Sequence, residues 1–157
     1  MKIKLAIIGV GLIGGSLGLC LKRALGDQIY ITGLCRTETS MNRAMDLGAV
    51  DFASSDLEKV VGDADFIFLS PPVLQIIPLV EKILPFVKSG AILTDAGSTK
   101  KFICESMKKI LPPDIYFVAG HPMAGREKSG VSAATPDLFR GKAYVLVTEE
   151  NESAAQI

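Results

Sequence analysis

The chain has 157 residues, enough for one domain whose core buries roughly 70% of the unfolded surface. Hydrophobic residues make up 48% and charged residues 22%, which excludes a disordered chain. Lys+Arg and Asp+Glu are both 17, aromatics are 6% and Trp is absent, so there is neither the basic excess nor the stacking platform of a nucleic-acid binder.

Ile3 to Ile8 is a nearly continuous apolar run, the pattern of a strand buried on both faces. Leu12 to Leu25 is a helix that Gly26 can end. Gln28 to Cys35 forms the next strand, and Thr37 or Thr39 caps a helix running to about Leu47, with Gly48 beyond it. Val50 to Ala53 is a short, weak strand, and Asp56 caps one or two helical turns ending at Val61. Asp65 to Leu69 is a strong strand stopped by Pro71-Pro72. Val73 to Leu84 is helical up to Pro85. Pro78 predicts that the regular part of this helix starts late, with Pro78 in its first turn. Ala91 to Asp95 is a strand, Thr99 to Leu111 a helix ended by Pro112-Pro113, and Ile115 to Ala119 and Ala143 to Thr148 are two further strands.

This alternation predicts an α/β domain, a doubly wound and mostly parallel sheet with helices on both faces and right-handed crossovers. The exception is His121 to Lys142, which holds Gly125, Gly130, Pro136 and Gly141 without periodicity. A loop of about twenty residues in a compact domain is often functional. Residues 1–150 are expected to form this domain, and 151–157, with Asn151 as cap, the start of a truncated helical segment.

Cys20, Cys35 and Cys104 are odd in number and widely spaced, which suits free thiols in a reducing, cytoplasmic setting and fits neither a disulfide framework nor a metal site. Glycines interrupt the apolar N-terminus, against a signal peptide, and no stretch reaches the roughly 18 apolar residues of a membrane span.

Gly9-Val10-Gly11-Leu12-Ile13-Gly14 is G-x-G-x-x-G, placed between a predicted strand and a predicted helix. In that context Gly9 permits the tight turn, Gly11 lets backbone approach a pyrophosphate, and Gly14 lets helix and strand pack closely. The pyrophosphate would sit on the free N–H groups of the helix that opens with Leu12 and Ile13. The fold expected is therefore Rossmann-like. A second test is the acid that would hold a ribose 2′-hydroxyl at the end of the second strand. That strand ends Gly33-Leu34-Cys35-Arg36-Thr37, with no acid. A guanidinium at Arg36 can fork onto a 2′-phosphate, with Thr37 and Thr39 as added hydroxyl donors, which favours NADP over NAD. The plain alternative is a solvated arginine stacked on the adenine.

His121 is the only histidine and lies just past a predicted strand, in Gly120-His121-Pro122-Met123-Ala124-Gly125. Ligands of open parallel sheets bind outside the carboxyl ends of strands, so position makes His121 a candidate catalytic residue. Asp95-Ala96-Gly97-Ser98-Thr99-Lys100 ends another strand, where Ser98 can cap the helix, meet the substrate, or both. Ser70, Pro71 and Pro72 end a third and can shape the backbone around a cofactor ribose. Arg126-Glu127-Lys128-Ser129-Gly130 is a solvated charge cluster or a closure over a charged substrate.

Gly9 to Gly15 with Ser16-Leu17, then Asp95 to Lys100, then Gly120 to Gly125 and Glu127 to Gly130, resemble the prephenate and arogenate dehydrogenases of tyrosine biosynthesis. Leu138-Phe139 and Ala143 to Leu146 also fit, so the resemblance spans nearly the whole chain. His-Pro-Met-Ala-Gly is its most specific part. The resemblance implies oxidative decarboxylation of a cyclohexadienol: hydride leaves C4 for the nicotinamide, His121 takes the C4 hydroxyl proton, carbon dioxide leaves C1 and the ring becomes aromatic. It implies that Ser98 contacts the substrate hydroxyl and helps place the nicotinamide, and that Glu127 gates the pocket. It further implies a helical C-terminal domain, apparently absent here, that makes the full-length enzyme a homodimer and supplies an arginine for the substrate carboxylate. Two features depart from or subdivide the family pattern. Arg126 stands where a small or hydroxyl residue is expected, and Cys35-Arg36-Thr37 resembles the NADP-using members. The competing readings are another β-hydroxyacid or imine-type NADP oxidoreductase, and a non-enzymatic NADP-binding regulatory module. Neither explains His121 and Ser98 on one predicted rim.

Overall fold

The structure is a computed structural model that describes residues 2–147. In β1 (Ile3–Ile8) alternate side chains part to opposite faces: Leu5 and Ile7 join one apolar cluster, Ala6 and Ile8 the other. Such a strand needs helices on both sides, and the chain supplies them. Helices α1 (Leu12–Leu25) and α2 (Glu38–Asp46) cover the Ile7 face; α3 (Leu57–Val61), α4 (Val73–Ile83) and α5 (Lys100–Ile110) cover the Ile8 face. Ile76, Ile83, Ile103 and Met107 are fully buried there, and each contributes about 1.5–3 kcal/mol relative to exposure.

The remaining strands are β2 (Ile29–Leu34), β3 (Phe52–Ser54), β4 (Phe66–Leu69), β5 (Ile92–Asp95), β6 (Tyr116–Pro122) and β7 (Tyr144–Val147). They lie in the order β3-β2-β1-β4-β5-β6-β7. All pairs are parallel except β6 with β7. The order reverses direction between β1 and β4, so α1 and α4 leave to opposite faces and a crevice opens between them. The predicted doubly wound sheet is thus observed, and predicted element bounds differ mostly by a residue or two.

Four expectations are corrected. The helix containing Pro78 does not start late: α4 is regular from Val73. Pro78 and Leu74, whose carbonyl loses its helical partner, are both exposed, so water can serve that carbonyl. The strand expected to stop at Ala119 runs on to Pro122, because β7 pairs antiparallel with Ala119 to Pro122 and Met123 N–H donates to the Ala143 carbonyl. Ser98 does not cap α5; the cap position is Thr99, with no side-chain cap hydrogen bond. Finally, much of the long loop is a packed strap. Val131 and Ala134 press against Gly15, Thr135 N–H donates to Ser16 Oγ at 3.0 Å, and Arg23 pairs with Asp137 at 2.9 Å. Thr148 and the predicted helix start at Asn151 lie outside the described residues.

Candidate active site

The crevice between β1 and β4 forms a cleft of about 370 Å³. Gly9 and Gly11 line it from the β1 turn, Ser70, Pro71 and Pro72 from the end of β4, and Arg36 and Thr37 from the end of β2. Each glycine of the motif has a different reason to be there. Gly9 has φ +93°, and a Cβ on it would stand 2.8 Å from Pro71 N. A Cβ on Gly14 would stand 2.5 Å from the Gly9 carbonyl oxygen and 2.6 Å from Ser70 Oγ, so only glycine lets α1 lie against this turn. A Cβ on Gly11 would meet nothing within 4 Å, since Gly11 faces open space. Gly11 is also the N-cap of α1, provides no side-chain cap, and is followed by no acidic residue in the first turn. The N–H groups that open the helix at Leu12 and Ile13 therefore keep their affinity for an anion. Open backbone, an unclaimed helix N-terminus and a cleft beside them fit a dinucleotide pyrophosphate. Ser70 serves the turn itself: its hydroxyl donates to the Gly9 carbonyl at 2.8 Å.

Arg36 is exposed on the cleft wall. The Thr37 hydroxyl is already engaged by Ser40: it donates to Ser40 Oγ at 3.0 Å and accepts from Ser40 N–H at 3.2 Å, while Thr37 N–H donates to Ser40 Oγ at 3.2 Å. Cys35 is buried behind them; burial pushes its thiol pKa up, opposed by a hydrogen bond with Ser40. A neutral thiol, and no carboxylate, therefore occupies the place of the missing acid.

The second group of candidates lies along the same rim at β5 and β6. His121 is half-buried on the part of β6 that overruns β5, opposite Val145. Ser98 is exposed in the loop from β5 to α5. Glu127 is exposed in the segment after β6, and no hydrogen bond or ion pair ties it to His121 or Ser98. None of the three lines the β1–β4 cleft.

What joins Ser98 and His121 is a set of residues to which sequence reasoning gave no role. Asp95 is fully buried at the end of β5 and pairs with Lys100 in the first turn of α5. Asp95 Oδ2 accepts from Gly97 N–H at 2.9 Å, and Asp95 Oδ1 from Gly120 N–H at 3.2 Å. Lys100 Nζ donates to the Gly120 carbonyl at 2.5 Å. Gly120 has no room for a side chain, since its Cβ would stand 2.9 Å from the Asp95 carbonyl oxygen and 2.7 Å from the Tyr144 hydroxyl. The available signal is an aspartate closing a short, mostly apolar strand with a lysine five residues on. Among the described residues there is no cluster suited to a metal ion and no helix long and apolar enough to cross a membrane.

Comparison with known proteins accords with this geometry. Residues 17–157 match the family model described as prephenate dehydrogenase, nucleotide-binding domain. The glycine motif at Gly9 to Gly14 precedes the matched stretch and so adds to it independently. A prephenate dehydrogenase of Lactococcus lactis is 40% identical over 151 residues, covering 95% of this chain and 42% of the relative. The crystal structure of Synechocystis arogenate dehydrogenase superposes with a TM-score of 0.87 at 34% identity, over 98% of this chain and 53% of that one. Prephenate dehydrogenase from A. aeolicus, crystallised with hydroxyphenyl propionate and NAD+, gives 0.86 at 33% identity, over 99% and 54%. The chain thus spans about half the length of these relatives or less. With the family model covering residues 17–157, the chain belongs to the prephenate dehydrogenase nucleotide-binding domain family.

Proposed function

We propose that this chain is the cofactor-binding part of an NAD(P)-dependent dehydrogenase that oxidatively decarboxylates prephenate or arogenate. The observation that carries the reading is that one sheet rim bears both an anion-ready glycine cleft and, on the overrun of β6, the single histidine. When bound, the nicotinamide accepts the hydride from C4 of the ring. The chain's own contributions are separate. Gly9, Gly11 and the first N–H groups of α1 hold the pyrophosphate, and Arg36 takes a 2′-phosphate, so NADP is the favoured cofactor. His121 accepts the proton of the C4 hydroxyl, and Ser98 hydrogen-bonds the same hydroxyl. Glu127 has the gating role that the resemblance implies, and the homodimer it also implies belongs to the full-length enzyme. A purely regulatory NADP-binding module would use the cleft and leave the β5–β6 group without a purpose.

The test is His121→Asn in the full-length enzyme, assayed with both substrates. An amide of similar shape keeps a hydrogen bond but not the base, so turnover should drop by about 10²–10⁴ while cofactor affinity holds. Near-normal turnover in this variant would reject His121 as the base, and failure of the wild type on both substrates would reject the reaction.

A further inference from the structure

The parallel ladder between β5 and β6 ends at Thr94 opposite Val118. Beyond it the two strands have no backbone pairing on this side, yet Gly120 still points both its peptide groups toward β5. The groups that meet them are side chains: the Asp95 carboxylate takes the Gly120 N–H and the Lys100 ammonium takes the Gly120 carbonyl. The Asp95 side chain is 0% exposed and that of Lys100 17%, and the two are paired with each other. The same carboxylate holds Gly97 N–H, one residue before Ser98. One buried ion pair therefore grips the peptide groups on either side of Gly120, directly ahead of His121, and fixes the turn that carries Ser98.

We infer that Asp95 and Lys100 are positioning residues, which hold His121 and Ser98 in mutual register by replacing the missing rungs of the β5–β6 ladder. Fold stability alone does not account for the pair. A buried ion pair is a weak source of stability, and well-packed apolar substitutes are often neutral or better. What the pair uniquely supplies is fixed direction at the one place where the backbone ladder has run out. Lys100 directs its ammonium to Asp95 and to the Gly120 carbonyl, and Asp95 has no buried oxygen left without a partner. The inference rests on the reading of His121 as base, and its test separates the two.

The experiment replaces both charges, Asp95→Asn with Lys100→Met, so that no lone charge is left buried; Lys100→Met alone is the companion variant. In the full-length enzyme the double replacement should lower turnover by on the order of 10²-fold, the usual cost of misplacing a reacting group by about 1 Å, with cofactor affinity kept. In a His121→Asn background the same replacement should cost far less, because the share that runs through His121 is gone and only the share through Ser98 remains. A merely structural role would cost the same factor in both backgrounds and would overturn the inference. The present chain gives a readout that needs no activity. With one histidine, its ring resonance is unambiguous in an NMR spectrum. In either variant that resonance should broaden or split and the Gly120 carbonyl carbon should shift, while the amides of Ile92 and Phe117 stay in place. If His121→Asn alone proves harmless, the base reading fails and the ring resonance alone judges the positioning role. An unmoved ring resonance in variants that still bind cofactor overturns it.

Discussion

Replacing Arg36 by alanine tests the cofactor reading at its most specific point. Arg36 follows β2, lines the cleft and makes no ion pair with any described residue. No carboxylate lines the cleft beside it, and burial keeps the Cys35 thiol protonated. A 2′-phosphate there meets one guanidinium and no opposing charge. A hydrogen bond to a charged group contributes about 1.5–3 kcal/mol, and the exposure of Arg36 favours the lower end. NADP should therefore bind this chain about tenfold tighter than NAD, since roughly 1.4 kcal/mol is one decade. Arg36→Ala should remove that advantage and leave NAD binding nearly as it was. Titration calorimetry with both oxidised cofactors reads this directly, and the NADP advantage should shrink with added salt because the contact is exposed. Equal or tighter binding of NAD by the wild type would refute the reasoning. So would an equal loss for both cofactors in Arg36→Ala, which would assign the side chain to stacking on adenine.

The glycines give a paired test: Gly11→Ala has open space around its new methyl, so it should unfold like the wild type but bind cofactor weakly, whereas Gly14→Ala should lose about 1–3 kcal/mol of stability in denaturant melts through the clash with the Gly9 carbonyl. A destabilised Gly11→Ala or a wild-type-like Gly14→Ala would contradict this division. At the opposite end of the sheet, the Lys88 ammonium at 2.6 Å, and secondarily the Lys4 backbone N–H, hold the Asp65 carboxyl below its ordinary pKa. Asp65 thus binds a proton less readily folded than unfolded, so its stabilisation is present at neutral pH and lost as pH falls through the folded value. Lys88→Met should lower the melting temperature at pH 7 and have less effect near pH 3; an equal effect at both would refute it. Cys35 should react with a thiol-directed alkylating agent far more slowly than in the unfolded chain at pH 8, and cofactor should slow it further; because Cys20 and Cys104 are only partly buried, labelling is read by peptide mapping, and rapid modification at Cys35 itself would show that the cleft floor is open.

The sheet was legible because its strands are apolar runs between glycine and proline punctuation, and a strand buried on both faces leaves no other pattern. The glycine motif was legible for the same local reason, a strand, a turn and a helix in sequence. What escaped was non-local. Ala119 to Pro122 contain two glycine- and proline-type strand breakers, and only their pairing with the distant Tyr144 to Val147 makes them a strand. Pro78 reads as a break until its exposure is known. Asp95 and Lys100 stood in plain view, yet their role depends on Gly120, twenty residues past the lysine, being brought beside them. A hydroxyl near a helix start can serve a phosphate or cap the helix, and at Thr37 the hydroxyl donates to Ser40 and accepts from it.

The two halves of the rim suit different tasks because the connections around them differ. Between β1 and β4 the following helices, α1 and α4, diverge to opposite faces, and the sheet top is left open enough to admit a ligand. Between β4, β5 and β6 the connecting helices α4 and α5 share one face, so nothing parts the strand ends. There the loops can be tied directly to each other, and the buried Asp95–Lys100 pair ties them. β6 stands three strand spacings from β1, about 14 Å along the rim. On the proposed reading, an extended dinucleotide anchored at Gly11 would cross that distance to bring its far end to His121. Anchoring tolerates an open crevice, since backbone N–H groups and a flexible arginine adapt to a phosphate. Proton transfer does not tolerate it, because a base must sit within hydrogen-bond reach of one atom. On that reading the domain places adaptable contacts where its topology opens and the position-sensitive residue where its topology closes.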